Sequence, residues 1–468
     1  MKNSLKLHIK SNNMLISFRV SNFLSFNDEI EFSMLAGQPR LLPTHVIHLG
    51  EGRNRIDILK TAIICGANAS GKSNLIKAMD FARNVIVAGV KSEVTHNKHF
   101  RLDLTNADKP SKFEFEFKID HKIYSYGFSV HLGSQKFQSE WLTEVGKTTD
   151  KPIFEREILD NGKSKFNFNL KLTGKAKTRF EVYQEDVLET QLFLNTLKDK
   201  YVRDDASTTL FGDVLAWFLS LNIIFNNTKL NHVALQNLAG DDKKEYIDTL
   251  RLLDARISDI QNKELDLDGL LTSKADNYGK LSGNSEDVLM VRDSIVGYGK
   301  NRIYLTNNQN SVKPMKTVFY QSNENVEFEL EELSDGARRL LDIVPILIGV
   351  KKPKSIFIVD EIDRSLHPEL SRKLIEIFHA NTEGVESQLI MTTHESSLLD
   401  LDLLRRDEIW FSEKNEKGES HLFSLEEFKP RHDVELRKAY LLGRFGAVPF
   451  VSDVKSLDSA EIKPVKKI

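Results

Sequence analysis

The run Ala62-Ile-Ile-Cys65 passes directly into Gly66-Ala-Asn-Ala-Ser-Gly-Lys-Ser73 and on into Asn74-Leu-Ile-Lys-Ala-Met-Asp-Phe81. A short apolar run of this kind suits a strand buried in a parallel sheet, and the stretch after the loop reads as a helix. Strand, glycine loop and helix in this order leave few folds open. The spacing G-x-x-x-x-G-K-S lets successive backbone N–H groups and the helix N-terminus surround a phosphate. It also sets Lys72 against the β and γ oxygens of a nucleotide and turns the Ser73 hydroxyl toward Mg²⁺. Gly66, Asn68, Ser70, Gly71, Lys72, Ser73 and Asn74 are the candidate contacts.

A P-loop site that hydrolyses ATP needs acidic groups on a neighbouring strand. Ile356-Phe-Ile-Val-Asp360-Glu361 offers four apolar residues followed by two carboxylates. At a strand end Asp360 can support the metal, while Glu361 faces the γ-phosphate and can orient or deprotonate the attacking water. The expected ligands are ATP and Mg²⁺. Lys72 and Asp360 stand 288 positions apart (360 − 72). A compact P-loop fold separates these strands by far less, so a large insertion lies between them.

The rest of the chain is read around these two anchors. Leu15 to Val20 alternates like a strand, Ile30 to Met34 resumes an extended pattern, and Phe113 to Leu142 reads as hairpins. Residues 180–265 change to apolar spacings of three and four, as in Leu210 to Leu221, and are expected to form an inserted helical lobe. Residues 265–300 are polar and glycine-containing, and read as a link. Beyond them, helices over Arg338–Val350 and Pro368–His379 alternate with strands over Ile356–Val359 and Gln388–Thr393. The expected boundaries are an extension over 1–13, a first part of the core over 14–179, lobe and link over 180–300, a second part of the core over 301–450, and a charged tail over 451–468.

The 468 residues carry 65 Lys and Arg against 68 Asp and Glu, a formal charge of −3. That balance gives no support to duplex DNA binding by general phosphate neutralisation. Cys65 is the single cysteine and cannot form an internal disulfide, and no uncharged run approaches the ~18 residues of a membrane span. A cytoplasmic protein without a membrane segment is expected.

Between the two anchors sits Leu333-Ser-Asp-Gly336, just ahead of a helix. Taken alone it reads as a helix cap. In this order of motifs the chain resembles the ABC-type ATPase heads of the SMC and Rad50-like group, whose signature is Leu-Ser-Gly-Gly-Gln or a variant. Ser334 and Gly336 match that signature, while Asp335 and Ala337 depart from it. The resemblance implies an α/β fold: an ABC-type ATPase head, with a P-loop core on a parallel sheet and an antiparallel β subdomain, carrying an inserted helical lobe. It further implies that Ser334 and Gly336 grip the γ-phosphate of ATP held by a second chain, so that two copies sandwich two nucleotides. Asp363-Arg-Ser-Leu-His-Pro368 matches the D-loop of the group, and His394, 34 positions past Asp360 (394 − 360), matches its switch histidine. The segment Phe18 to Phe26 resembles the opening strand and turn of these heads, which makes Arg19, Asn22 and Phe23 candidates for the adenine. Gln135, Gln138 and Glu140 all fall where a Q-loop belongs, and the sequence does not choose among them.

Leu333-Ser-Asp-Gly-Ala-Arg-Arg-Leu-Leu341, Ser-Leu-His-Pro368 and Tyr440-Leu-Leu-Gly-Arg-Phe-Gly-Ala-Val-Pro449 together look like the branch common in bacterial antiphage systems. Within it the chain most resembles AriA, the ATPase subunit of PARIS defence systems. That likeness implies a homo-oligomeric scaffold built from ATP-sandwich dimers. The scaffold holds a separate toxic effector, a Toprim nuclease, and releases it on sensing a phage anti-restriction protein such as a DNA mimic. An acidic trigger would need a basic surface, and Lys171, Lys175, Lys177 and Arg179 form one cluster, Lys351, Lys352 and Lys354 another. The competing readings are a DNA-repair head of the Rad50/RecF kind that clamps DNA, and a transporter subunit. The chain has no zinc-hook Cys-x-x-Cys, long heptad region or basic excess to favour the first.

Overall fold

The computed structural model describes principally residues 13–37, 41–146, 148–198, 206–225, 240–264, 295–322, 326–351, 355–430 and 435–447, apart from a few loop positions within these ranges. Residues 1–12 of the sequence-based extension, most of the link and the tail over 451–468 lie outside the described residues. Two compact units form: residues 1–226, 349–363 and 371–468 make the first, and residues 227–348 and 364–370 the second.

The first unit is organised by a six-stranded sheet in the order Leu221–Ile224, Ile356–Val359, Gln388–Thr393, Thr61–Cys65, Ile409–Lys414, Ser420–Ser424. The first five pair in parallel and the last is antiparallel. Every residue of Thr61–Cys65, Ile356–Val359 and Gln388–Thr393 is buried. Strands of a parallel sheet are covered on both faces, which is why these segments read as unbroken rather than alternating runs. The registers Thr393 to Cys65 and Val359 to Met391 bring the C-terminal ends of all three strands to one edge. The helix Lys72–Ala88 follows Gly71, which supplies no side-chain cap and whose carbonyl takes the Asn74 and Leu75 N–H groups, so the helix N-terminus at Lys72 and Ser73 is where an anion would sit.

Beside it runs a seven-stranded antiparallel sheet in the order Ser164–Phe168, Lys151–Ile158, Lys136–Val145, Lys122–His131, Ser111–Ile119, Met14–Ser21, Ile30–Ser33. Ser111–Ile119 alternates between buried and half-buried positions over most of its length, the pattern of a sheet with one face on the core. Phe115 and Phe117 on that face pack against Trp217 and Phe218 of the helix Ala206–Ser220, and the Phe117 and Trp217 rings stack at 4.4 Å.

The helical part of the chain is divided otherwise than its periodicity predicts. The helices Gly174–Asp186, Phe193–Lys198 and Ala206–Ser220 belong to the first unit, because Phe180, Phe193, Phe211, Trp217 and Phe218 are buried in its core rather than in a lobe of their own. Directly after Ser220, Leu221–Ile224 is a strand beside Ile356–Val359, not a helix end. The second unit is not a helical lobe either. It contains the helix Gly240–Leu252, the antiparallel strands Asp259–Glu264, Ser311–Tyr320, Asn301–Asn308 and Ile295–Tyr298, the short strand Glu327–Phe328, and nearly all of the helix Asp335–Gly349. Residues 301–348 thus fall in this unit and outside the P-loop core. No helix among the described residues is long and apolar enough to cross a membrane.

Candidate ATP-hydrolysis site

The phosphate loop is shaped by two close approaches. A Cβ at Gly66 would lie 2.3 Å from the Ser412 carbonyl oxygen, and one at Gly71 (φ 118°) would lie 2.3 Å from the Ser420 hydroxyl. Only glycine fits either position. Ser412 also donates its hydroxyl to the Ser70 carbonyl at 3.1 Å, so the neighbouring strand Ile409–Lys414 holds the loop from below. From the other side Asn74 donates to Ser25 Oγ at 2.8 Å, and the Ser25 carbonyl accepts from the Ser420 N–H at 2.8 Å. Asn68 and Ala69 are exposed at the tip of the loop.

Lys72 Nζ donates to the Gly66 and Ala67 carbonyls at 2.7 and 2.8 Å and lies 3.3 Å from His394 Nδ1. Burial pushes its ammonium down from 10.5 to about 8, against the opposing pull of Asp360, Asp363 and Glu361. An ammonium can only donate, so His394 Nδ1 is the acceptor and its ring proton sits on Nε2. That Nε2 faces Glu361 Oε1 at 3.5 Å. Cys65, one step before the loop, is fully buried, and its thiol is pushed far up by that burial.

Ser73 donates to Asp360 Oδ1 at 2.9 Å, so the two residues predicted to hold a metal meet across 287 positions of sequence. A hydroxyl and a carboxylate placed together form the oxygen-rich donor set that Mg²⁺ prefers, and the pair fits that ion. The strands of Lys72 and Asp360 are not nearest neighbours, however. Gln388–Thr393 lies between them and carries His394 at its end, which is how the histidine reaches both the lysine and Glu361. Glu361 itself has φ 50°, a left-handed backbone that a glutamate rarely adopts.

Within the second unit, Ser334 Oγ accepts from the Ala337 N–H at 3.2 Å and caps the helix Asp335–Gly349. Leu333 is buried, while Ser334 and Asp335 are exposed and Asp335 is ion-paired with Arg338. A Cβ at Gly336 would lie 2.9 Å from the Ser365 carbonyl of the same unit.

Other predicted contacts fall elsewhere. Arg19 pairs with Glu31, Glu116 and Glu114 at 2.9, 3.0 and 3.4 Å, because both adjoining strands set a glutamate directly opposite it. Its guanidinium is occupied on the antiparallel sheet and is not presented to a base. Asn22 is buried, donating to the Asn106 and Lys109 carbonyls and accepting from the Phe100 N–H. Phe23 packs on Phe81 and Phe113. The residue of this segment that touches the loop is Ser25, a serine in a turn with nothing in its type to mark it. Glu140 is buried against Tyr126 and Arg156 and accepts from the Phe193 and Leu194 N–H groups; Gln135 donates to Thr95, and Gln138 is exposed. Of the basic clusters, Lys171, Lys352 and Lys354 lie outside the described residues, and Lys177 is ion-paired with Glu181 at 3.9 Å.

A second titratable cluster is buried away from this site. His45 Nδ1 is 2.9 Å from Glu408, and the His45 and His379 rings stack at 3.3 Å with their planes 7° apart. Parallel rings send their nitrogen lone pairs side by side rather than toward one point, and Lys60 adds positive charge. His379 Nε2 bonds the Thr61 hydroxyl at 3.0 Å instead, so the three residues make a stacked histidine pair with one carboxylate rather than a metal cage.

Residues 62–192 and 217–400 match the family described as "AAA domain, putative AbiEii toxin, Type IV TA system". The chain belongs to this family. Among curated proteins, a member described as "Retron Vc95 probable ATPase" of Vibrio cholerae serotype O1 biovar El Tor is 23% identical over 367 residues, covering 72% of this chain. The chain spans 66% of that relative's length. Solved structures with some likeness include the Smc head bound to the C-winged helix domain of ScpA, with TM-score 0.38, 11% identity and coverage of 89% of this chain and 99% of that one. They also include the Smc head with an extended coiled coil derived from Pyrococcus furiosus, with TM-score 0.41, 14% identity and coverage of 89% and 100%. In this chain the phosphate loop and the acidic pair lie within the matched residues, and with the strand-end histidine they stand on one edge of the parallel sheet.

Proposed function

We propose that the chain hydrolyses ATP between two copies of itself and uses that cycle to hold and release a separate effector in antiphage defence. The observation that carries the hydrolytic reading is the convergence of Lys72, Ser73, Asp360, Glu361 and His394 at one sheet edge. The loop N–H groups and the Lys72 ammonium would hold the β- and γ-phosphates. Ser73 and Asp360 would hold Mg²⁺, which when bound neutralises phosphate charge and orients the transferring group. Water attacks the γ-phosphorus, the bond to the bridging oxygen breaks, ADP leaves, and the water proton passes to the Glu361 carboxylate. His394 links the phosphate-binding lysine to that base through its two ring nitrogens. Ser334, exposed at a helix N-terminus, would complete the site of a second copy, with the Asp335 charge offset by Arg338.

The defence setting is supported by the toxin family to which the chain belongs and by its kinship with a retron ATPase. The motifs shared with the PARIS branch support a Toprim nuclease as effector and a phage anti-restriction protein as trigger. The test is Glu361→Gln. Turnover falls about 10²–10⁴-fold while ATP binding persists, and native mass shows an ATP-dependent dimer that Ser334→Arg prevents. Unchanged turnover in Glu361→Gln refutes the assignment. Copurification with the product of the adjacent reading frame tests the effector; a Toprim protein supports the PARIS-like arrangement, and an endonuclease of another type supports a sister system.

A further inference from the structure

Thr392 carries a hydrogen-bond arrangement that the roles above do not use. It is fully buried on the strand between the phosphate loop and the acidic pair, and the register places it beside Asp360. Its hydroxyl donates to Asp360 Oδ1 at 2.6 Å and accepts from the Glu361 N–H at 2.8 Å. A hydroxyl has one proton, so the donation to the carboxylate and the acceptance from the amide together use it in both senses. The Glu361 amide belongs to a residue at φ 50°, a conformation that persists only where its surroundings hold it. The next threonine, Thr393, spends its hydroxyl on the Glu395 N–H and takes no part.

We infer that Thr392 is a positioning residue: through one hydroxyl it fixes the metal-supporting carboxylate of Asp360 and the backbone that aims the Glu361 base. This rests on the ATPase reading of the same site. Removing the hydroxyl takes this donor from Asp360 Oδ1 and this acceptor from the Glu361 N–H. Groups that orient a ligand or base from behind are worth about 10–100-fold in affinity or rate.

The test uses the full chain with Thr392→Val, which keeps the branched shape, and Thr392→Ser, which keeps the hydroxyl. Thr392→Val is expected to lower kcat about 10–100-fold with KM for ATP within about twofold, and Thr392→Ser to restore kcat to within about threefold of the parent. Mn²⁺ titration of the ATP-loaded Glu361→Gln chain, followed by EPR, should show about tenfold weaker binding when Thr392→Val is added. On that background, at saturating Mg²⁺, Thr392→Val should change the residual rate less than about twofold, since excess cation offsets the weaker metal site and the base it positions is already gone. If Thr392→Val does not fold, Thr392→Ala against Thr392→Ser makes the same comparison. A parental rate in Thr392→Val, equal loss in the serine variant, or a full loss persisting on the Glu361→Gln background overturns the inference. A parent chain with no Mg²⁺-dependent turnover overturns the ATPase reading itself, and this inference with it.

Discussion

The Lys72 ammonium is expected to make nucleotide binding fall with alkaline pH, within a window set by its burial. Its position in the loop lowers it from 10.5 to about 8. At pH 7 about nine tenths of the chains carry the charge, and at pH 9 about one tenth do. If only the charged form holds the triphosphate, affinity falls roughly tenfold between these values, about 1.4 kcal/mol. Equilibrium binding of a fluorescent ATP analogue from pH 7 to 9 measures it. Lys72→Arg, whose guanidinium stays charged, should bind with no such slope. The same burial works against the ligand-free fold: the unfolded chain binds more protons between pH 8 and 10.5, so this group's contribution to stability rises with pH there. At pH 7 the drop amounts to roughly 3 kcal/mol held against the empty state, and Lys72→Met should melt higher than the parent without nucleotide. A parent affinity flat to pH 9, or the same slope in Lys72→Arg, would refute the placement of the ammonium.

Burial, His45 and Lys60 hold His379 well below its ordinary 6.5, so the unfolded chain takes up a proton as pH falls below 6.5 and stability drops by up to about 1.4 kcal/mol per pH unit. Chemical denaturation at pH 6.5 and 5 should show a larger loss in the parent than in His379→Gln; equal losses would remove His379 as the cause. Gly66→Ala drives a Cβ onto the Ser412 carbonyl at 2.3 Å and should cost about 1–3 kcal/mol in denaturant unfolding, with nucleotide binding lost. A variant of parental stability would mean that the loop and the Ile409–Lys414 strand are not in contact.

The core of the fold is legible because parallel strands need unbroken apolar runs. Ala62–Cys65, Ile356–Val359 and Gln388–Thr393 announce themselves by that pattern, and all three end at the site. Their order is less visible. Nothing in Gln388–Thr393 says that it separates the other two, because side-chain burial is alike for any interior strand. Leu221–Ile224 was harder still: four residues after a helix continue its apolar spacing, and their pairing with Ile356–Val359 is a long-range choice. Helices 174–220 show the same limit, since an amphipathic face is plain in the sequence while the surface that covers it is not.

At the site itself, what could be read was what the chemistry demands in contiguous residues: loop glycines, the lysine and hydroxyl after them, two carboxylates at a strand end. What could not be read depends on register. Arg19 is as plausible a base contact as any arginine until two strands place Glu31 and Glu114 opposite it, and cross-strand charge pairs of this kind then claim the guanidinium. Thr392 is the converse case. A threonine inside a buried strand is ordinary by type, and sliding the pairing by one residue would turn its hydroxyl to the other face of the sheet. With Val359 held to Met391, the hydroxyl meets Asp360 and Glu361 at once. The strand order, which no single run of sequence shows, is therefore what lets one strand present Thr392 to the acidic pair and His394 to Lys72 and Glu361.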